Sequence, residues 1–285
     1  MLPNITTITR NILLLTSLTL CPLVCAQSST VEVTEGQPIQ KAIKMIENIY
    51  NVPISFEDTR YVNESLLVDV TEQVQRTPDP SHRIKGLKTR TLLFTYKLPP
   101  PDPSPANGGW PSTGGRWRSS RQEREEGAAD ALKSVLEGYA AAGGPESFAV
   151  VKEGGIFHVT ATNFLNPNGK LQQLPAILDT KITIPPGQRT RAALLNEICQ
   201  VLSKTAAVQV GIWDSPYNEG SNQMQAVTAI SGSGVTARSL LSQLLAEMDG
   251  QSSTKHETWE TAWTIGGGAN SSYFLNFHHV ILRDN

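Results

Sequence analysis

The sequence predicts an α+β protein of two modules, each built from βαβ and βαββ units with helices packed on small mixed sheets. Three observations carry that expectation: a strand–turn–helix–strand pattern at 181–214, looser versions of it elsewhere, and a Pro/Gly-rich insert in the first module. In the clearest copy Lys181, Ile182, Thr183 and Ile184 alternate polar and apolar, as a strand with one buried face does. Pro185-Pro186-Gly187 stops that strand, because proline lacks the ladder donor and glycine accepts unusual dihedrals. Thr190 then stands as a helix N-cap, followed by Leu194, Leu195, Ile198, Val201 and Leu202 at helical spacing. Val208, Val210 and Ile212 alternate again before Asp214-Ser215-Pro216. Two strands joined through a helix predict a βαβ unit with a right-handed crossover.

Residues 1–26 read as an export signal. Arg10 is the one charged side chain, Ile12 to Leu20 is a short apolar run, and Val24-Cys25-Ala26 precedes a cleavage site before Gln27. The run is shorter than the roughly 20 apolar residues of a membrane span. A lipid anchor on Cys25 competes with cleavage at Ala26, but Val24 suits it badly. Of three cysteines only Cys199 lies beyond this segment, so no internal disulfide is expected, and its helical position predicts a buried thiol. Twenty-four basic against 26 acidic residues give a net charge of −2, which offers no reason to expect nucleic acid or an acidic membrane.

The first module covers 27–165. Val31 and Val33 form a strand, Pro38 suits a first helical position, and Ile39, Ala42, Ile43, Ile46, Ile49 and Tyr50 mark a helix face. Strands at 52–56, 66–70 and 91–97 follow, with a polar loop at 76–85. The insert at about 98–119 concentrates proline and glycine and cannot build a core. Trp110 and Trp117 flank it beside Arg116, Arg118 and Arg121; packing back onto the domain is preferred over stacking on bases or sugars. Ser120 and Glu123 have capping-box spacing ahead of a helix through Tyr139. Glu153-Gly154-Gly155 predicts a hairpin between strands at 148–152 and 156–162, and 166–175 reads as a loop.

The second module covers 176–285. Thr190-Arg-Ala-Ala-Leu-Leu-Asn-Glu-Ile aligns without gaps on Thr236-Ala-Arg-Ser-Leu-Leu-Ser-Gln-Leu, a sign of duplication. Strands at 225–230, 258–265 and 273–282 complete a βαβ–βαββ order, with Ile230 to Gly234 as a turn.

Val33, Pro38, Ile39, Ala42, Ile43, Ile46 and Ile54 to Phe56 carry a resemblance to the short N-terminal domain of secretins and TonB receptors, the STN domain. Leu194, Leu195, Ile198 and Val208 to Ile212 echo it, as do Val235, Leu240, Leu241 and Leu244. The resemblance implies a non-catalytic periplasmic module that docks a protein partner, with no active-site residues to carry over. With a chain ending at Asn285, neither a secretin barrel nor a receptor barrel is expected to follow.

No residue emerges as catalytic, cofactor-binding or metal-ligating, and no cofactor is expected. Ser252-Ser253-Thr254-Lys255 has S-x-x-K spacing but lacks the accompanying S-D-N and K-T-G elements. Gly266-Gly267-Gly268 reads as a strand connection rather than a phosphate loop. His278 and His279, adjacent in a strand, point to opposite faces; His158 lies mid-strand, and His82 and His256 are placed in loops. Asn63-Glu64-Ser65 and Asn270-Ser271-Ser272 match glycosylation triplets that arise often by chance. Two readings stay open: an exported, non-enzymatic envelope protein docking a protein partner through strand edges, or an exported hydrolase or small-ligand-binding protein with a site between the modules. The identity of the partner, the oligomeric state and the host are not written in the sequence.

Overall fold

The structure, a computed structural model, describes residues 28–75, 83–97, 120–214, 222–249, 255–263 and 272–281. The export signal, the insert at 98–119, His82, Ser252 to Thr254 and Gly266 to Gly268 lie outside the described residues. The chain is α+β. It opens with β1 (Ser28–Glu35), α1 (Pro38–Tyr50), β2 (Ile54–Glu57), β3 (Leu67–Asp69), α2 (Thr71–Val74), β4 (Lys85–Leu87) and β5 (Arg90–Lys97). Next come α3 (Arg121–Ala141), β6 (Phe148–Glu153), β7 (Ile156–Ala161), β8 (Asn163–Leu165), β9 (Leu171–Gln173), β10 (Lys181–Ile184) and β11 (Arg189–Thr190). The rest is α4 (Arg191–Ala206), β12 (Gln209–Asp214), α5 (Asn222–Gln225), β13 (Val227–Thr228), β14 (Gly232–Thr236), α6 (Ala237–Asp249), β15 (Lys255–Trp263) and β16 (Ser272–Ile281).

One sheet of six strands, ordered β12-β16-β15-β2-β7-β6, takes three strands from each half of the chain. The local signals behave as their chemistry requires. Pro38 opens α1, Ser120 and Glu123 form a complete capping box on α3, and the Thr190 hydroxyl accepts from the Ala193 amide at 3.2 Å. Gly154 and Gly155 both take positive φ in the β6–β7 turn, as a tight hairpin demands.

The repeated pattern is present in a different form from the one expected. β10 and β12, read as the two strands of one βαβ unit, lie in different sheets: β10 pairs antiparallel with β14 in a two-stranded ribbon, and β12 edges the six-stranded sheet. The same division holds for β1-α1-β2, β5-α3-β6 and β14-α6-β15, where β1 and β5 form the second ribbon. Four times, then, a ribbon strand feeds a helix that delivers the chain into the shared sheet. The physical reason is burial. Helices α1 and α3 pack their apolar residues against Val33, Leu92 and Phe94 of the ribbon as well as Ile54, Phe56, Phe157 and Val159 of the sheet, so each needs both partners.

The two halves match strand for strand. β2-β7-β6 and β12-β16-β15 share their order, with the first pair parallel and the second antiparallel in each. Asn51 after α1 and Ala207 after α4 are the two non-glycine residues with positive φ among the described residues. One turn before each sits a side chain that caps the next strand: Glu47 accepts from the Ile54 amide at 2.8 Å, and Ser203 from the Val210 amide at 2.9 Å. The halves face opposite ways. Ile54 and Phe56 share a core with α1 and α3, whereas Trp259, Leu275 and Val210 share one with α4 and α6, on the other side of the sheet.

Several boundaries differ from the sequence reading. The expected strand at 225–230 is the end of α5 and the two-residue β13, and the expected turn at 230–234 is largely β14. β14 (Gly-Ser-Gly-Val-Thr) has no apolar alternation and is held by pairing with β10. The loop at 166–175 contains β9, whose three residues are exposed and pair with β8 through the backbone, leaving no side-chain period to read. His256, placed in a loop, belongs to β15. No helix among the described residues is long and apolar enough to cross a membrane.

Candidate functional site

The halves meet where β15 pairs in parallel with β2, placing Glu260 opposite Phe56 and Thr261 opposite Glu57. Alternation along β15 turns Glu260 towards α1, where it binds Lys44 at 2.8 Å and accepts from Gln40. His278, across from Thr258 on β16, shares that face: its Nε2 lies 3.1 Å from Glu47 and its Nδ1 3.6 Å from Glu260. Burial alone would lower the His278 pKa, but the hydrogen bond and charge of Glu47, with the charge of Glu260, outweigh it and raise it. Burial likewise lifts the Glu47 carboxyl against the pull of His278.

On the opposite face Arg238 of α6 is buried between Glu57 and Asp179; its Nη1 pairs with Glu57, and its Nε donates to Asp179 at 2.8 Å. Burial pushes the Glu57 carboxyl up to about 7 despite that guanidinium. Burial would lower Arg238, yet the two carboxylates hold it above its ordinary value. These two clusters, one on each face, lock the halves together.

The joint leaves β6 and β12 as the two ends of the sheet. β6 exposes Val150 (37%) and Val151 (58%), an apolar pair on an edge strand with an unpaired backbone ladder among the described residues. Ala149, Val151 and Glu153 wall a cleft of about 350 Å³ that also takes His158, Asp179 and Arg238, so it lies between contributions of both halves. His158 is buried, stacks on Trp259 with centroids 5.2 Å apart, and shares a 2.6 Å hydrogen bond with Ser55 through Nδ1. Among the described residues its Nε2 finds no partner of hydrogen-bond geometry. Burial, with the Arg238 charge, lowers the ring to about 4, against smaller opposing effects of Asp179 and the Glu153 main chain, so it is neutral at pH 7. Ser55 is fully buried, so the Ser55–His158 pair offers no accessible nucleophile. A second groove, about 610 Å³, runs along α4 and β12 past Asn196, Gln200, Ser203, Val210 and Ile212.

A third polar cluster is enclosed. Asp58 accepts from Tyr61 Oη and the Thr59 amide at 2.8 Å each and from Gln37, while Glu146 accepts from Tyr139. Burial drives Asp58 up to about 7, helped by the nearby Glu146. The adjoining cavity of about 20 Å³ is lined by Tyr61, Tyr139 and Glu146 and has room for one water, which suits the unpartnered Glu146 Oε1.

The residues weighed in the sequence fall as follows. Cys199 is buried against the 610 Å³ groove, and burial pushes its thiol up to about 12, an inert state at neutral pH. His278 belongs to the inter-half clasp, and among the described residues no group of three or more His, Cys, Asp or Glu is arranged to hold a metal. Glu57, Asp58 and Arg238 were not singled out, because a lone charge in an apolar pattern carries no sign of what it will meet across the fold. Comparison of the chain with protein-family models, characterised proteins and solved structures yields no match.

Proposed function

We propose that this chain is an exported, non-enzymatic envelope protein that docks another polypeptide by strand addition, an STN-like role. The supporting observation is the edge strand β6, which presents Val150 and Val151 beside a ladder unpaired among the described residues. Strand addition takes affinity from main-chain hydrogen bonds and specificity from pockets for alternate side chains, and the His158–Asp179 cleft lies beside alternate residues Ala149, Val151 and Glu153. The test is purification of the protein from its own envelope, with its first residue read by terminal sequencing. The expected result is a mature chain starting at Gln27, with a protein partner that Val151→Lys releases. A charge on an exposed edge opposes pairing without touching the core, so retention should fall by about tenfold, roughly 1.4 kcal/mol.

A second reading is favoured by one feature, the neutral His158, whose Nε2 lacks a partner of good hydrogen-bond geometry among the described residues, in a cleft with Asp179 and Arg238: a small polar ligand held in the inter-half cleft. Recovery of a bound small molecule with no protein partner would replace the first reading with this one.

A further inference from the structure

Resting on the docking reading, we infer that the strand accepted by β6 is β12 of a second copy of this chain, so that copies join head to tail. The internal joint supplies the template. There, β15 of the second half pairs in parallel with β2 of the first. By the strand-for-strand match, β6 is the counterpart of β15 and β12 the counterpart of β2. Among the described residues these two counterparts are the edges left open.

Direction agrees. β6 runs antiparallel to β7, which is parallel to β2 and hence to β15; β12 is parallel to β16, which is antiparallel to β15. β6 and β12 therefore point the same way, and a copy set alongside in the same orientation offers β12 to β6 in parallel, as at the internal joint. Register follows too. Val159 lies opposite Phe56 and Val150, while Leu275 lies opposite Ile212 and Thr261, so Phe56 matches Ile212, and Val150 matches Thr261. Ala149 then stands for Glu260, and the Glu260–Phe56 pair becomes Ala149 opposite Ile212 of the next copy.

Side chains complete the fit. Inside the chain, Glu260 and His278 cover the surface of α1 formed by Gln40, Lys44 and Glu47. The corresponding positions on α4 are Asn196, Gln200 and Ser203, and they line the open 610 Å³ groove. The β6 face carrying Ala149 and Val151 is the one that would enter it. The Lys44–Glu260 ion pair has no charged counterpart, since Gln200 meets Ala149, so the outer joint is weaker and reversible with dilution. Such a contact uses two different surfaces and generates a row or, where twist closes it, a ring.

The test uses the full chain with single cysteines, Ala149→Cys and Ile212→Cys, oxidised separately and mixed, with the unaltered chain controlling for its own thiols. Adjacent strands are about 4.8 Å apart, within disulfide reach, so the mixture should give about tenfold more dimer than either variant alone. A dimer of Ala149→Cys with itself would show β6 pairing to β6 and overturn the inference. No mixed dimer at concentrations that saturate self-association would also overturn it, while release of a different partner by Val151→Lys would leave the docking reading standing.

Discussion

Replacing Arg238 by methionine should cost about 3–5 kcal/mol of stability near pH 8, because it strips the guanidinium paired with buried Glu57. Methionine keeps the stem's packing, so the loss reports the uncompensated carboxylate rather than a cavity. Two further results are required. Adding Glu57→Gln should recover most of the loss, since the buried charge goes with it. Lowering the pH to 5.5 should also shrink the loss, because Glu57, already lifted to about 7 with its guanidinium present, then takes up a proton. Urea unfolding of the three proteins at both pH values reads all of this. A uniform loss in both variants at both pH values would mean that the pair does not lock the halves.

Stability should fall as pH rises from about 4 to 7, the reverse of the usual acid denaturation. Asp58 keeps its proton in the fold up to about pH 7 but in the unfolded chain only up to its ordinary value of 3.8. Across that window the unfolded state binds fewer protons, so deprotonation favours unfolding, and Asp58 alone contributes on the order of 3–4 kcal/mol of change. Glu57 and Glu47 act in the same sense, their carboxyls being raised. His278, with a raised value, adds stability that is lost above 6.5. His158 opposes them: lowered to about 4, it contributes stability that grows from pH 4 to 6.5 and then levels off. The decline should therefore be steepest above pH 6.5. Asp58→Asn, which keeps an acceptor for Tyr61 and the Thr59 amide, should remove a large part of the slope. An unchanged slope would place the proton elsewhere.

The sequence carried the helices well. Thr190, Pro38 and the Ser120–Glu123 box mark helix starts by side-chain chemistry that acts within one turn, so no distant contact can override it. It carried the repeat only in part. The Thr190 and Thr236 helices match residue by residue, but the larger correspondence joins α1 to α4, where Glu47 and Ser203 make the same hydrogen bond with unrelated side chains. A duplication that survives as geometry and apolar spacing leaves little for alignment to find. The pairing of strands was not legible at all. Nothing in Ile54 to Glu57 states that β15, some 200 positions later, will lie alongside, because partner choice is made by the whole set of packed faces. For the same reason the candidate surfaces were hidden: an edge is defined by which strands fail to find neighbours.

Amide hydrogen exchange on the full chain tests the central claim, that two copies of one unit joined at β15–β2 leave β6 open for a strand. The account predicts slow exchange across β2, β7 and β15 at all concentrations, with fast exchange at the outward amides of β6 in dilute protein that slows when a strand is added. Slow exchange along all of β6 in dilute protein, or no change in β6 when a partner or a second copy binds, would contradict it.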